Sequence, residues 1–315
     1  MMRSNILLLI TAAIWGSAFV AQRVGMDYIG PFTFSGIRFL IGSAVLIPLV
    51  IWLNYRLANQ ASKSSITLLE EAPSGSGSAK QEGIGLIWGS IIAGTILFIG
   101  ASLQQVGLVH TTAGKAGFIT SLYIVIVPIV GIFFKQKAGL GIWGGGALAL
   151  IGLYLLSIKS DFSLEYGDFL MFVGAFFWAA HVLVIGWLAP KFDPLKLSII
   201  QFFVCGLLSM TVAVVTETIV WADIKLAMDA ILYAAIMSTG IAYTLQVVAQ
   251  QNAKPSHAAI ILSGEAMFAV LAGWLILGET LSTRGMIGCA LIMVGMLVSQ
   301  LLPDFKIAKI IKPAT

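Results

Sequence analysis

Residues 256–279 read SHAAIILSGEAMFAVLAGWLILGE, long enough to cross the roughly 30 Å hydrocarbon core of a bilayer as a helix. One carboxylate, Glu265, stands about nine residues in, or roughly 14 Å deep at about 1.5 Å per residue. A carboxylate in lipid is tolerated only with a partner, a proton or a water-filled cavity beside it, so this one charge ties the fold to chemistry.

Working outward, the chain has 59% hydrophobic and 10% charged residues and a mean hydropathy of +0.98. That composition excludes a water-soluble globular domain and points to an all-α polytopic membrane protein. Uncharged windows at 4–22, 83–114, 116–134, 138–158, 169–190, 197–216, 230–253 and 285–303 each have crossing length. Two more, 31–52 and 256–277, qualify with one internal charge each, Arg38 and Glu265. Ten transmembrane helices follow.

The pI near 9.0 comes from lysines and arginines scattered among membrane-flanking loops, with no basic face or recognition motif for nucleic acid. With the amino terminus inside, twelve of them fall on the inner side and five on the outer side (Arg23, Lys115, Lys159, Lys225 and Arg284). The positive-inside rule then puts both termini in the cytoplasm, in a plasma (inner) membrane protein, and Glu217, Asp223 and Asp229 outside. Cys205 and Cys289 lie within spans and read as packing residues.

The chain is written twice. At an offset of 163, Ala12, Trp15, Pro31 and Phe39 meet Ala175, Trp178, Pro194 and Phe202. At an offset of 142, Leu103, Gln104, Ala116, Ser121 and Gly131 meet Leu245, Gln246, Ala258, Ser263 and Gly273; one residue later Gly145 and Gly152 meet Gly288 and Gly295. Five spans per half make the second half start on the opposite side, giving two inverted five-helix repeats, the architecture of secondary transporters. We expect residues 1–158 as the first repeat and 159–303 as the second, with 54–83 a flexible cytoplasmic linker. Residues 304–315 form a basic cytoplasmic tail in which Lys306, Lys309 and Lys312 are spaced to meet anionic lipid headgroups.

The pairing of AAIWGSAFV with GAFFWAAHV, the run HTTAGKAGFITSLYIVIVPIVGIFF and the closing SHAAIILSGEAMFAVLAGWLILGETLSTRGMIGCALIMVGM resemble the EamA-domain members of the drug/metabolite transporter superfamily. The resemblance covers nearly the whole chain and is most specific at the LGETLS corner after the ninth span. It implies a ten-helix inverted-repeat fold that often exports amino acids or other small metabolites; the family also includes importers and sugar or nucleotide-sugar carriers. Two departures stand out. The usual Glu-Pro pair is Glu265–Ala266 here, so the proline that would kink the ninth span is missing. The corner after the fourth span has Lys135, Gln136 and Lys137 where the second half has Gly278 and Glu279.

Eight residues are candidates for a substrate or proton pathway. Glu265 suits a coupling proton or a substrate amine, with Tyr123 as its repeat partner. Arg38, near enough to a membrane face for its side chain to snorkel, suits a substrate carboxylate or helix packing, with Gln201 as its partner. His181 suits a proton relay with Glu265, or packing. Gln104 and Gln246 place amides in apolar spans, and Gln250, four residues past Gln246, shares its helical face. Trp15 and Trp178 suit stacking on an aromatic or quaternary group, or packing.

No second His or Cys stands at ligand spacing, so no metal is expected, and no cofactor. Gly139, Gly141 and Gly144 spell GxGxxG but follow no strand, which rejects a dinucleotide site. Gly141 and Gly145 form a close helix contact within a monomer or at a homodimer seam. An intramembrane enzyme would need a nucleophile and base that the spans do not supply. The reading is therefore a non-enzymatic secondary transporter, an exporter of small polar metabolites such as amino acids or amines, with protons as a coupling partner. The competing reading within transport is uptake of a quaternary amine, sugar or nucleoside.

Overall fold

The structure, a computed structural model, describes residues 2–64, 76–111, 113–136, 138–157, 165–277 and 282–302. The described residues are all-helical. The first half contributes α1 (Met2–Gly25), α2 (Pro31–Ser64), α3 (Ser76–Val109), α4 (Ala113–Thr120), α5 (Tyr123–Phe133) and α6 (Leu140–Ser157). The second contributes α7 (Tyr166–Leu188), α8 (Pro194–Thr216), a short α9 (Trp221–Leu226), α10 (Met228–Tyr233), a π-helical segment (Ala234–Tyr243), α11 (Thr244–Gln250), α12 (Pro255–Leu262), α13 (Glu265–Leu277) and α14 (Thr283–Leu301). Among the described residues, nine helical stretches are long and apolar enough to cross a membrane, and Leu140–Leu155 adds a shorter tenth.

Helix starts follow local chemistry. Pro31, Pro194 and Pro255 open α2, α8 and α12, where a missing N–H removes no helical bond. The Asp193 carboxylate caps α8 by accepting the N–H groups of Leu195 at 2.9 Å and Lys196 at 3.0 Å.

Large apolar side chains cover the exterior, while polar side chains join an apolar core inside. Phe133, Val215 and Leu301 face outward, while Arg38, Gln105, His181, Gln201, Gln246, Gln250 and Glu265 are buried. This is the arrangement of a chain whose solvent is hydrocarbon.

The two halves pack as an inverted pair. A Cβ on Gly145 would lie 2.5 Å from the Gly295 carbonyl oxygen, and one on Gly152 would lie 2.6 Å from that of Gly288. These four glycines are repeat equivalents, and their crossed pairing makes α6 and α14 antiparallel across the symmetry axis. The Gly141–Gly145 pair is thus used inside the chain, against α14. α2 packs on its own counterpart α8; α1 packs on α13 and the π segment, as α7 packs on α5 and α3.

The fourth and ninth spans break at matching places. Ser121 N–H bonds Gly117 at 3.0 Å, Leu122 bonds Ile119 at 3.2 Å, Ile124 bonds Ser121 at 3.0 Å and Ile126 bonds Leu122 at 3.3 Å. The same four bonds recur 142 residues later, from Ser263 to Ala259, Gly264 to Ile261, Ala266 to Ser263 and Phe268 to Gly264. The ninth span therefore breaks without its proline. A tight i→i−3 turn replaces it, and the Ser263 hydroxyl bonds back to the Ile260 carbonyl at 2.8 Å.

Helix extends into both ends of the stretch expected as a linker. Residues 54–64 continue α2 and residues 76–83 begin α3, because Leu57, Ala58, Gln60, Ala61 and Lys63 are competent helix formers that carry the helix past the apolar span. Residues 65–75, Lys137, Lys159, the Gly278–Glu279 corner and the tail lysines 306, 309 and 312 lie outside the described residues.

Candidate functional site

The eight side chains singled out from the sequence, Trp15, Arg38, Gln104, Tyr123, Trp178, His181, Gln246 and Glu265, all line one cavity between the halves. The space open to water centres is about 30 Å³, room for roughly two waters. The site is therefore nearly closed.

Glu265 is the first residue of α13 and Tyr123 the first of α5, so both helix breaks deliver a polar side chain to the cavity. The Tyr123 hydroxyl donates to Glu265 Oε1 at 3.1 Å. Because the two are repeat equivalents, this bond lies on the axis that relates the halves. Another repeat-equivalent pair, Phe39 and Phe202, has ring centroids 6.3 Å apart.

Arg38 does not snorkel. Its residue is 2% exposed, because Phe34 and Phe39 lie 5.7 and 4.7 Å from the guanidinium carbon and hold it inward. Its Nε has no hydrogen-bond partner. Among the described residues the ion pair is Arg23 with Asp27 on the surface, so Arg38 and Glu265 share a cavity without pairing. A buried guanidinium with an empty donor is costly unless an anion or water meets it.

His181 makes its contact with Gln201, the repeat counterpart of Arg38; Nε2 and Oε1 are 3.0 Å apart, which fits a proton on Nε2. The imidazole thus bonds to α8 and not directly to Glu265. Two sets of hydrogen-bonded amides stand at the cavity. Gln104 Nε2 donates to Gln22 Oε1 at 3.3 Å near the end of α1. At the end of α11, Gln246 Nε2 donates to Gln250 Oε1 at 3.0 Å, and Gln250 Nε2 to the Val182 carbonyl at 2.9 Å. α1 ends after one crossing and α11 after eight, so these amide pairs sit toward opposite faces.

Sequence reasoning missed Tyr243, which occupies the centre. Its ring lies 4.5 Å from Trp15, 6.0 Å from Phe39, 5.9 Å from Phe202, 6.2 Å from His181 and 6.3 Å from Trp178. Aromatic residues of both halves converge on it. At the 142-residue offset its counterpart is Ala101, so no repeat match flags it. Gln22, Phe19, Thr120 and Ser238 also line the cavity. Gln22 carried no signal, standing at the end of its apolar window.

No group of three His, Cys, Asp or Glu side chains among the described residues is placed to hold a metal ion. Cys205 and Cys289 are free thiols.

The chain matches the EamA-like transporter family over residues 2–158 and 165–300. It is 30% identical over 295 residues to an uncharacterized transporter of Archaeoglobus fulgidus, covering 93% of this chain and 84% of that protein. It is 25% identical to the uncharacterized transporter YwfM of Bacillus subtilis, over 95% of this chain and 94% of that one. A solved crystal structure superposes with a TM-score of 0.72 over 95% of this chain and 96% of its own, at 16% identity, which speaks to the fold alone. A polar cavity on the axis of two inverted repeats and a family match across both halves lead to one conclusion: the chain is a multi-pass membrane protein belonging to the EamA-like transporter family.

Proposed function

We propose that the protein is a secondary transporter that exports small zwitterionic or amine-bearing metabolites such as amino acids across the inner membrane. Glu265 receives the substrate amine or a coupling proton, and Arg38 receives a carboxylate. The observation that carries this reading is a basic and an acidic side chain buried in one cavity without an ion pair between them. An amino acid places a cation and an anion between two such groups and removes the cost of leaving each alone.

Residues 1–158 and 159–303 act as the two halves that move against one another, with both termini in the cytoplasm and residues 304–315 as a basic tail. The use of Gly141 and Gly145 against α14 favours a monomer. His181, Gln104, Gln246, Trp15 and Trp178 form the rest of the pathway. Export follows the family resemblance, and no nucleotide-binding motif supplies an ATP-driven alternative.

A second reading has an observation of its own. Trp15, Trp178, Tyr243 and Phe19 line the same cavity as Glu265, a set that suits a quaternary amine through cation–π contact. Thermal unfolding of the purified protein against amino acids, amines, quaternary amines, sugars and nucleosides separates the two. A ligand at about a hundredfold excess over its Kd adds roughly 2.7 kcal/mol to folding stability. Stabilisation by amino acids supports the first reading, stabilisation by quaternary amines alone supports the second, and a response to sugars or nucleosides alone overturns both.

A further inference from the structure

The two ends of the α2–α8 pair are held unequally. On one face Glu217, at the end of α8, reaches across to the start of α2. Its carboxylate accepts the Phe32 N–H at 2.8 Å, the Thr33 N–H at 2.8 Å and the Thr33 hydroxyl at 2.6 Å. Gly30 makes room, since a Cβ there would collide with the Glu217 carboxyl group. A helix of one half is thus capped by a residue of the other.

On the opposite face the equivalent contact is open. At the 163-residue offset Glu217 corresponds to Asn54, Pro31 to Pro194 and Gly30 to Asp193. There α8 is capped locally by Asp193, and a groove of about 280 Å³ lies between the helices, lined by Val50, Trp52, Leu53, Asn54, Arg56, Asp193 and Leu195. Asn54 faces the start of α8 across a groove that Glu217 has closed on its own side.

We propose that Glu217 is a latch between the halves: it holds the start of α2, and with it Arg38 one to two turns along, and lets go when the halves exchange conformations. In the exchanged state Asn54 closes on the start of α8 and the groove at Leu195 disappears. Glu217 is a positioning residue and touches no cavity atom itself. The proposal rests on the reading that the halves move against one another, not on any substrate, so a failed ligand panel leaves its test intact.

Thiol labelling of the full chain in vesicles provides that test. Cys205 and Cys289 are replaced by Ala, and one reporter, Gln22→Cys at the latched face or Leu195→Cys in the groove, is introduced in turn. Each reporter is combined with Glu217→Gln, Glu217→Ala or Gly30→Ala, and the rate with a small water-soluble methanethiosulfonate is measured. Loss of a helix cap changes the balance of states by roughly tenfold. The expected result is reciprocal: Gln22→Cys labels about tenfold faster, and Leu195→Cys labels more slowly by a similar factor. A simple loss of helix stability would raise the first rate without lowering the second, and that result overturns the latch, as does no change at either reporter. Glu217→Gln keeps the side-chain shape, and Gly30→Ala reaches the same contact from the other partner, so the test does not hang on one variant.

Discussion

Tyr123 donates a hydrogen bond of 3.1 Å to Glu265, and the two residues hold the same position in the two halves, 142 apart in the chain. The bond therefore joins the halves at their symmetry axis, at the first residue of each broken half-helix. A carboxylate here satisfies one acceptor position through the opposite half and leaves the remainder to the cavity.

Tyr123→Phe removes the donor and leaves Glu265 without that partner. Stability should fall by about 1–3 kcal/mol, read as a lower unfolding temperature in detergent. In a Glu265→Leu background, which removes the acceptor, the same change should cost less, with a coupling of about 0.5–3 kcal/mol. Additive effects would mean that the bond contributes nothing beyond the two separate side chains.

Glu265→Gln removes the acidic proton site while keeping an acceptor for Tyr123. Folding should be retained, with an unfolding temperature equal to or above wild type, because no carboxylate has to be desolvated. Substrate flux in vesicles should fall at least tenfold, about 1.4 kcal/mol on the relevant step. Full flux in this variant would move the proton and amine roles away from Glu265.

Much of this site was legible because a charge or amide within an apolar span has few explanations. Glu265, Arg38, His181, Gln104 and Gln246 stand out on that ground, and the repeat adds Tyr123, Trp15 and Trp178 by pairing. Tyr243 was not legible: it is an aromatic in an apolar stretch opposite Ala101, and only the packing places it between both halves. Nor did AAIMSTGIAY announce a π-helical segment, since no side-chain period separates one extra residue per turn from an ordinary span. The break before Glu265 was looked for in a missing proline, when a Ser263–Gly264 turn produces it. A kink fixed by backbone bonding leaves a fainter trace than one fixed by a ring.

Tyr243→Ala should open the cavity that its ring closes and cost about 3–5 kcal/mol. Phenol, which replaces the lost ring, should raise the unfolding temperature of this variant and leave that of wild type and Tyr243→Phe unchanged. No response to phenol would mean that the neighbouring aromatics collapse into the space.

The glycine contacts of α6 divide sharply. Gly145→Val places carbon against the Gly295 backbone and should destabilise by about 1–3 kcal/mol or more, seen as lost monodisperse protein on size-exclusion chromatography. A Cβ on Gly146 meets nothing within 4 Å, so Gly146→Ala should behave as wild type. Equal damage from both would contradict the α6–α14 pairing.

The most direct measurement compares one amino acid, its decarboxylated amine and its deaminated acid as stabilisers of wild type, Arg38→Met and Glu265→Gln in thermal unfolding. The account predicts that the zwitterion stabilises wild type most, that Arg38→Met no longer prefers it over the amine, and that Glu265→Gln loses its response to both. Equal stabilisation of wild type by amine and zwitterion, untouched by either substitution, would contradict the pairing of Arg38 and Glu265 as the two poles of the site.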